Sequence, residues 1–275
     1  SYDKVPTDVS DLIGLNVKVL KKVKSNGDVD VYGVYADDDS KIIATGTVGE
    51  LKSVSGENKK TKLKDTEYKL DNDKSKVKAI EPNVSTTVAL TDLEGYTDID
   101  KVAGTVKLID TNGNNKAVVV VYIPAVVGKL TYVGSKSITI NNGVGSQDIG
   151  DLDIYTGYAK DDYVAVVNEK LTASGNYVVT KLDTTSAKVN SIKSSKPVEV
   201  KINDSWFKIA TGSAVADDTA SVKAGSTYDF VTVGNYVVNA KETESASTDV
   251  LMLADYDTTN TGFTGSATTT KVKAY

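Results

Sequence analysis

The chain of 275 residues contains no cysteine and no histidine, and all 32 of its cationic side chains are lysines, so arginine is absent too. Each absence removes a class of function. Without imidazole or thiol there is no histidine base, no thiolate nucleophile, no Ser-His-Asp triad, and no zinc, haem or iron-sulfur site of the usual ligand types. Without guanidinium there is no bidentate fork for phosphate or guanine. The net charge is −5, which repels polyanions, so nucleic acid is excluded as an expected partner. Phenylalanine, tryptophan and methionine are scarce (3, 1 and 1). No apolar run approaches the ~20 residues that a membrane-spanning helix needs; the longest, Ala117 to Ile123, has the length of a buried strand. No membrane span is expected. The chain does not begin with Met or with a basic-then-apolar leader, which reads as a mature product or a fragment of something longer.

What is present points to β structure. The apolar fraction of 40% and charged fraction of 25% are those of a chain that buries a core. Val, Thr and Tyr dominate the structure-forming positions, and β-branched and aromatic side chains suit a pleated, half-buried surface. Short apolar or alternating runs recur between Gly, Asn, Asp and Ser clusters. Among them are Val29 to Ala36, Lys41 to Val48, Gly104 to Ile109, Ser137 to Ile140, Tyr163 to Val167, Ser205 to Ile209 and Tyr236 to Lys241. This punctuation predicts an all-β fold of tandem small β-barrel or β-sandwich modules, with short hairpins and little helix. Asn-Gly falls between two strand-like runs at Ser25 to Asp28 and again at Thr111 to Asn114. That dipeptide supplies the positive φ of a tight hairpin.

The two hairpins belong to an internal echo. Ser10-Asp11-Leu12-Ile13-Gly14-Leu15 matches Thr91-Asp92-Leu93-Glu94-Gly95-Tyr96, and each precedes a Val-Lys strand and an Asn-Gly turn. Thr47-Val48-Gly49-Glu50-Leu51 then stands against Val126-Val127-Gly128-Lys129-Leu130. A second echo sets Gly175-Asn176-Tyr177-Val178-Val179-Thr180 beside Gly234-Asn235-Tyr236-Val237-Val238-Asn239. An array of related modules is the physical reading of such repetition. The expected division is 1–83, 84–159, 160–222 and a partial module with a C-terminal tail over 223–275. Within that tail, Thr258 to Thr270 reads as a mobile end or linker, with a last strand from Lys271 to Tyr275.

Candidate sites are few. Asp110, Asn112 and Asn114 place oxygen ligands at alternate positions around Gly113, the pattern that turns short side chains toward a calcium ion. Against this, only one of the three is charged, position 118 is Val rather than an acid, and a plain hairpin turn explains the segment equally well. The acidic clusters Asp37-Asp38-Asp39, Asp161-Asp162 and Asp217-Asp218 could bind calcium or, at the right separation, cleave a glycosidic bond; solvated loops are the commoner outcome. Lysines between 59 and 78 form a locally basic stretch that could dock an acidic wall polymer, or could guard a strand edge against wrong pairing. Trp206-Phe207 enters a strand after a tight turn, so at least one ring is expected in the core.

The phrases Asp11-Leu12-Ile13-Gly14-Leu15-Asn16-Val17-Lys18-Val19, Val31-Tyr32-Gly33-Val34-Tyr35-Ala36-Asp37-Asp38-Asp39, Val106 to Asn114 and Val127 to Ile140 carry a resemblance. They resemble the region outside the anchoring repeats in S-layer homology domain proteins of Gram-positive, clostridia-like bacteria. The likeness covers most of residues 8 to 210 and includes no catalytic motif. It implies secretion, an extracellular place on the cell surface or wall, and a non-enzymatic structural role. The implied partners are other copies of the chain, other surface-layer subunits and cell-wall polymer. A glycan-binding module or adhesin is the alternative expectation, and a glycan-active enzyme a third.

Overall fold

The computed structural model describes residues 9–168, 177–194, 197–211, 222–244, 253–260 and 267–274. Strands make up about 55% of the structure and helix about 9%, in several small sheets arranged like a propeller. The fold is therefore all-β and built of small modules, as the composition predicts.

A hairpin of β1 (Val17–Val23) and β2 (Val29–Ala36) comes first. Its turn is the expected one: Gly27 adopts φ +88°, and the Lys24 N–H donates to the Asp28 carbonyl at 2.8 Å. A first unit follows, with β3 (Lys41–Thr47), a 3-10 turn at Val48–Glu50, β4 (Leu51–Ser53), β5 (Lys60–Leu63), β6 (Thr66–Lys69), β7 (Lys78–Ile80) and β8 (Thr87–Ala89). It continues through α1 (Leu90–Glu94), α2 (Ile99–Ala103), β9 (Thr105–Asp110) and β10 (Val119–Ile123). The second unit holds β11 (Ala125–Val133), β12 (Ser137–Ile140), β13 (Gly145–Asp148), β14 (Leu152–Ile154), β15 (Tyr163–Val167) and β16 (Tyr177–Lys181). The third holds β17 (Asp183–Lys193), β18 (Glu199–Ile202), β19 (Ser205–Ile209), β20 (Thr227–Val233) and β21 (Tyr236–Glu244), which close into a barrel. A last antiparallel pair joins β22 (Leu253–Asn260) to β23 (Ala267–Ala274).

One pairing scheme recurs three times. An opening strand runs antiparallel to the first strand of a closing hairpin: β3 to β9, β11 to β15, β17 to β20. The hairpin's second strand then takes a short parallel neighbour on its far side: β10 takes β7, β16 takes β14, β21 takes β19. The second sequence echo falls on equivalent strands of this scheme, β16 and β21. Pairing runs across residues 83 and 159, the module limits expected from sequence, because a closing hairpin lies far along the chain from its opening strand.

The three units are joined with almost no linker. Only Pro124 separates β10 from β11 and only Leu182 separates β16 from β17. Pro124 lacks the N–H that would extend a ladder, which fixes where one unit stops and the next starts. Their apolar faces share one central core: Val121 and Ile123 of the first unit, Val127 and Val167 of the second, Val231 and Val238 of the third. Helix α2 is set into this core through Ile99, Val102 and Ala103. The Asp98 carboxylate caps it by accepting the Asp100 N–H at 3.2 Å, and the Asp100 carboxylate accepts the Val127 N–H of β11 at 2.9 Å. Burial pushes the Asp100 carboxyl pKa up, against the opposing effect of the Val127 hydrogen bond. Thr211 joins the third unit to the first, its N–H donating to the Thr97 carbonyl and its carbonyl accepting the Ile99 N–H, both at 2.7 Å.

Part of the stretch expected as a mobile end is instead paired strand, residues 258–260 in β22 and 267–270 in β23. Its threonines are β-branched and suit a ladder better than a linker.

Candidate functional site

Hairpin β1–β2 is the part of the molecule least covered by the rest. Val17, Leu20, Val23, Val29, Tyr32 and Tyr35 are all exposed on it, with Leu20 at 58%, Tyr32 at 57% and Tyr35 at 58%. Only Val31 and Gly33 of its residues are buried. Among the described residues the two strands form a two-stranded sheet with no third member. An isolated two-stranded ribbon is marginal in water, so local devices must hold it. The Tyr35 ring lies across Gly33, close enough that a Cβ on that glycine would fall 2.8 Å from ring carbons. An aromatic laid over a strand glycine restores cover that the missing side chain would leave open.

The hairpin is anchored at its base. Asn16 accepts the Asp37 N–H through its carbonyl at 2.8 Å, donates its own N–H to Ser40 Oγ at 2.9 Å, and donates Nδ2 to the Thr111 carbonyl at 3.0 Å. Ile13 and Leu15 pack on the central core. Gly14, at φ +85°, sits where a Cβ would strike Ile109 and Val121 at 2.5 Å, so the chain enters the hairpin pressed against the first unit.

Two clusters read separately from sequence meet at this base. Asp39 Oδ1 would lie 3.1 Å from a Cβ on Gly113, which brings the Asp37–Asp39 turn against the Asp110 loop. Asp110 is fully buried. Its Oδ1 accepts the N–H groups of Asn112 (3.0 Å) and Gly113 (2.9 Å), and Oδ2 accepts that of Asn115 (2.6 Å). Burial works to raise its pKa, but these backbone hydrogen bonds together hold it below the ordinary carboxylate range. Asn114 Nδ2 donates to Asp71 at 3.2 Å, and its Oδ1 accepts the Lys116 N–H at 2.9 Å. Asp110 and Asn114 are thus spent on shaping the turn. Lys18 of β1 pairs with Asp37 at 3.0 Å and Asp38 at 2.7 Å; these contacts raise the lysine pKa and lower that of Asp37. Among the described residues no group of three or more acidic side chains converges as a metal site.

The remaining candidates are placed as follows. Asp161 pairs with Lys129 at 2.7 Å. Asp162 accepts Lys181 Nζ (2.6 Å), the Tyr155 hydroxyl (2.7 Å) and the Ala159 N–H (2.9 Å), so it ties a loop rather than facing Asp161 across a cleft. Asp217-Asp218 lies outside the described residues. Phe207 packs against the core of the barrel, while Trp206 is 37% exposed with Lys193 Nζ 3.8 Å from its ring centroid. The lysine-rich stretch does not line an edge along β5, which is the middle strand of its sheet. Lys60 and Lys62 alternate there with buried Thr61 and Leu63, and pair with Glu57 and Glu67.

One lysine of that stretch has a role that charge patterning does not reveal. Lys74 and Glu94 form a buried ion pair at 3.4 Å, their side chains 9% and 8% exposed. Ser53 Oγ donates to Glu94 and accepts from Lys74 at 3.1 Å, and Thr61 Oγ1 donates to Glu94 at 3.0 Å. Ser53 and Glu94 border an open cleft of about 260 Å³ that is completed by Leu51, Lys52, Lys208 and Tyr236. Glu94 at the end of α1 thus accepts from Ser53 of β4, Thr61 of β5 and Lys74, and ties these segments together at the wall of the cleft.

No helix of the described residues is long and apolar enough to cross a membrane. No protein-family model matches the chain, and no curated protein matches it.

Proposed function

We propose that the chain is a non-enzymatic structural protein of a bacterial surface layer or surface appendage, exported and assembled through its β modules. One observation carries this reading: a base-anchored, two-stranded hairpin that holds six large apolar side chains in water. Soluble monomers rarely keep such patches uncovered, and an exposed strand edge is a template for another chain. Burying a Val, Leu or Tyr of this kind contributes roughly 1–3 kcal/mol per side chain, so a contact through both faces offsets the ordering cost of association. The resemblance of short phrases in the sequence to surface-layer proteins supports this reading. Partners on this reading are further copies of the chain or other layer subunits, with wall polymer as a further ligand.

A second reading rests on Tyr32 and Tyr35, exposed three residues apart on one strand, because exposed aromatic rings stack on sugars. It makes the chain a glycan-binding module or adhesin. Negative-stain electron microscopy of the concentrated protein, with millimolar calcium and again with chelator, separates the two. Ordered sheets or filaments are the expected result, and their loss on chelation would make the Asp110 loop worth mutating. Dispersed particles in both conditions, together with binding on a glycan array, would replace the first reading by the second.

A further inference from the structure

Asparagine followed by glycine occurs at Asn26-Gly27, Asn112-Gly113 and Asn142-Gly143. The dipeptide is chemically labile, because a glycine nitrogen with no Cβ beside it can attack the preceding carboxamide. That attack needs a nitrogen free to lose its proton, and the fold treats these three nitrogens differently. The Gly113 N–H donates to Asp110 Oδ1 at 2.9 Å, so its deprotonation would set an anion against a buried carboxylate. The Gly27 N–H closes its turn on the Lys24 carbonyl at 3.0 Å. Asn26 is held there as well, its Nδ2 donating to Asp28 Oδ2 at 2.7 Å and its Oδ1 accepting the Asp28 N–H at 3.1 Å. The Gly143 N–H, by contrast, has no hydrogen-bond partner among the described residues. Both Asn142 and Gly143 are exposed, and no atom beyond the chain neighbours lies within 4 Å of where a Cβ on Gly143 would stand.

We propose that Asn142 is a site of spontaneous deamidation, and that its conversion unclasps the β12–β13 turn from β11. In the step, the Gly143 nitrogen forms a bond to Asn142 Cγ, the Cγ–Nδ2 bond breaks, and Nδ2 leaves as ammonia with the proton given up by Gly143. Water then opens the resulting succinimide at either carbonyl, leaving aspartate or isoaspartate; nothing is oxidised or reduced. Before it reacts, Asn142 donates Nδ2 to the Val127 carbonyl of β11 at 2.6 Å. Loss of ammonia removes that donor, and a carboxylate, which only accepts, cannot replace it. The product turns oxygen toward oxygen and leaves the carbonyl of a central-core residue without its partner. Neighbouring Asn141 clasps the same strand, its Oδ1 accepting the Lys129 N–H at 2.6 Å and its N–H donating to the Lys129 carbonyl at 3.1 Å. Between the two clasps a Cβ on Gly128 would stand 2.7 Å from Ile140 Cγ2, so the end of β12 is pressed close against β11. Isoaspartate routes the backbone through an extra methylene, which so close a joint has no room to absorb. The second unit therefore carries a site at which age alone adds a negative charge and loosens a strand contact, whether or not chains assemble.

Peptide mapping by mass spectrometry, with isoaspartate detection, follows the three sites in the folded chain held at mildly alkaline pH. Asn142 is expected to convert at least about threefold faster than Asn26 and about tenfold faster than Asn112, the factors set by releasing an ordinary and a charge-assisted hydrogen bond. In urea, where those bonds are gone, the three rates are expected to converge to within about twofold. Hydrogen exchange reads the unclasping. Asn142→Asp is expected to speed exchange of the Lys129 and Asn141 N–H groups about three- to tenfold. Asn142→Gln, whose extra methylene disfavours ring closure, is expected to show no conversion and an exchange pattern constant through the incubation. Conversion at Asn26 or Asn112 as fast as at Asn142, or none at Asn142 in the folded chain, overturns the site. Conversion at Asn142 with unchanged exchange at Lys129 and Asn141 overturns the unclasping.

Discussion

Gly49 and Gly234 meet backbone to backbone, the first in the 3-10 turn after β3 and the second in the turn between β20 and β21. The Gly49 carbonyl accepts the Asn235 N–H at 3.2 Å, and a Cβ on Gly49 would lie 2.6 Å from the Val233 carbonyl oxygen. Gly234 also takes φ +54°. This contact locks the first unit to the third, and neither glycine has room for a side chain.

Gly49→Ala is therefore expected to lower unfolding free energy by about 1–3 kcal/mol, the usual cost of forcing a methyl into a packed joint. Denaturant titration followed by Trp206 fluorescence measures it. An unchanged midpoint would show that the joint yields.

The buried pair of Lys74 and Glu94 gives an asymmetric expectation. Glu94→Gln or Lys74→Met alone leaves one charge uncompensated and should cost roughly 3–5 kcal/mol, whereas Lys74→Met with Glu94→Leu should cost far less. A double-mutant cycle on thermal or denaturant unfolding reads the difference. Additive losses would mean that the pair is not coupled.

Asp110 links acid stability to one loop. Its pKa is lower folded than unfolded, so the stabilisation it provides is complete above the ordinary carboxylate range and is lost as pH falls through the lowered folded value. Asp110→Ala removes the acceptor for three N–H groups and should cost about 1–3 kcal/mol at neutral pH. Asp110→Asn keeps the acceptor for Asn112 and Gly113 but turns a donor toward the Asn115 N–H. Its deficit against wild type should shrink as pH is lowered below 4. A pH series of thermal melts tests this, and a deficit constant with pH would contradict it.

Asp100 has the opposite sign. Its raised folded pKa means that ionisation opposes folding, so its contribution worsens as pH climbs through the gap between the ordinary and raised values. Asp100→Asn keeps an oxygen for the Val127 N–H and removes the charge. Its Tm should exceed that of wild type at pH 7 and match it near pH 3. A lower Tm at pH 7 would mean that the carboxylate charge is needed.

The sequence was most legible where period and turn chemistry coincide. Strands β2, β12, β15 and β19 fall where alternation and flanking Gly, Asn or Asp place them, and Gly27 takes the positive φ that its Asn-Gly turn requires. What escaped is short or non-local. Strands β7 and β14 have three residues each, too few to show a period, and they are set by parallel pairing with β10 and β16. The five-residue helices α1 and α2 have no full amphipathic repeat, and the Asp98 cap that starts α2 is one aspartate among 37 acidic residues. Lys74 read as one cation of a basic stretch because its partner, Glu94, lies 20 residues away. The candidate surface was half visible: Tyr32 and Tyr35 stood out by type, but exposure of both strands follows only from the absence of a third strand among the described residues.

The single-residue joints at Pro124 and Leu182 bear on how the chain carries load. Beads on a string yield one at a time under tension, each releasing its own length of chain in a sawtooth. Here Val121, Val127 and Val231 of successive units sit in the same core, so no unit can be pulled out without stripping cover from the other two. Stretched from its ends, the three-unit body should rupture in one large step.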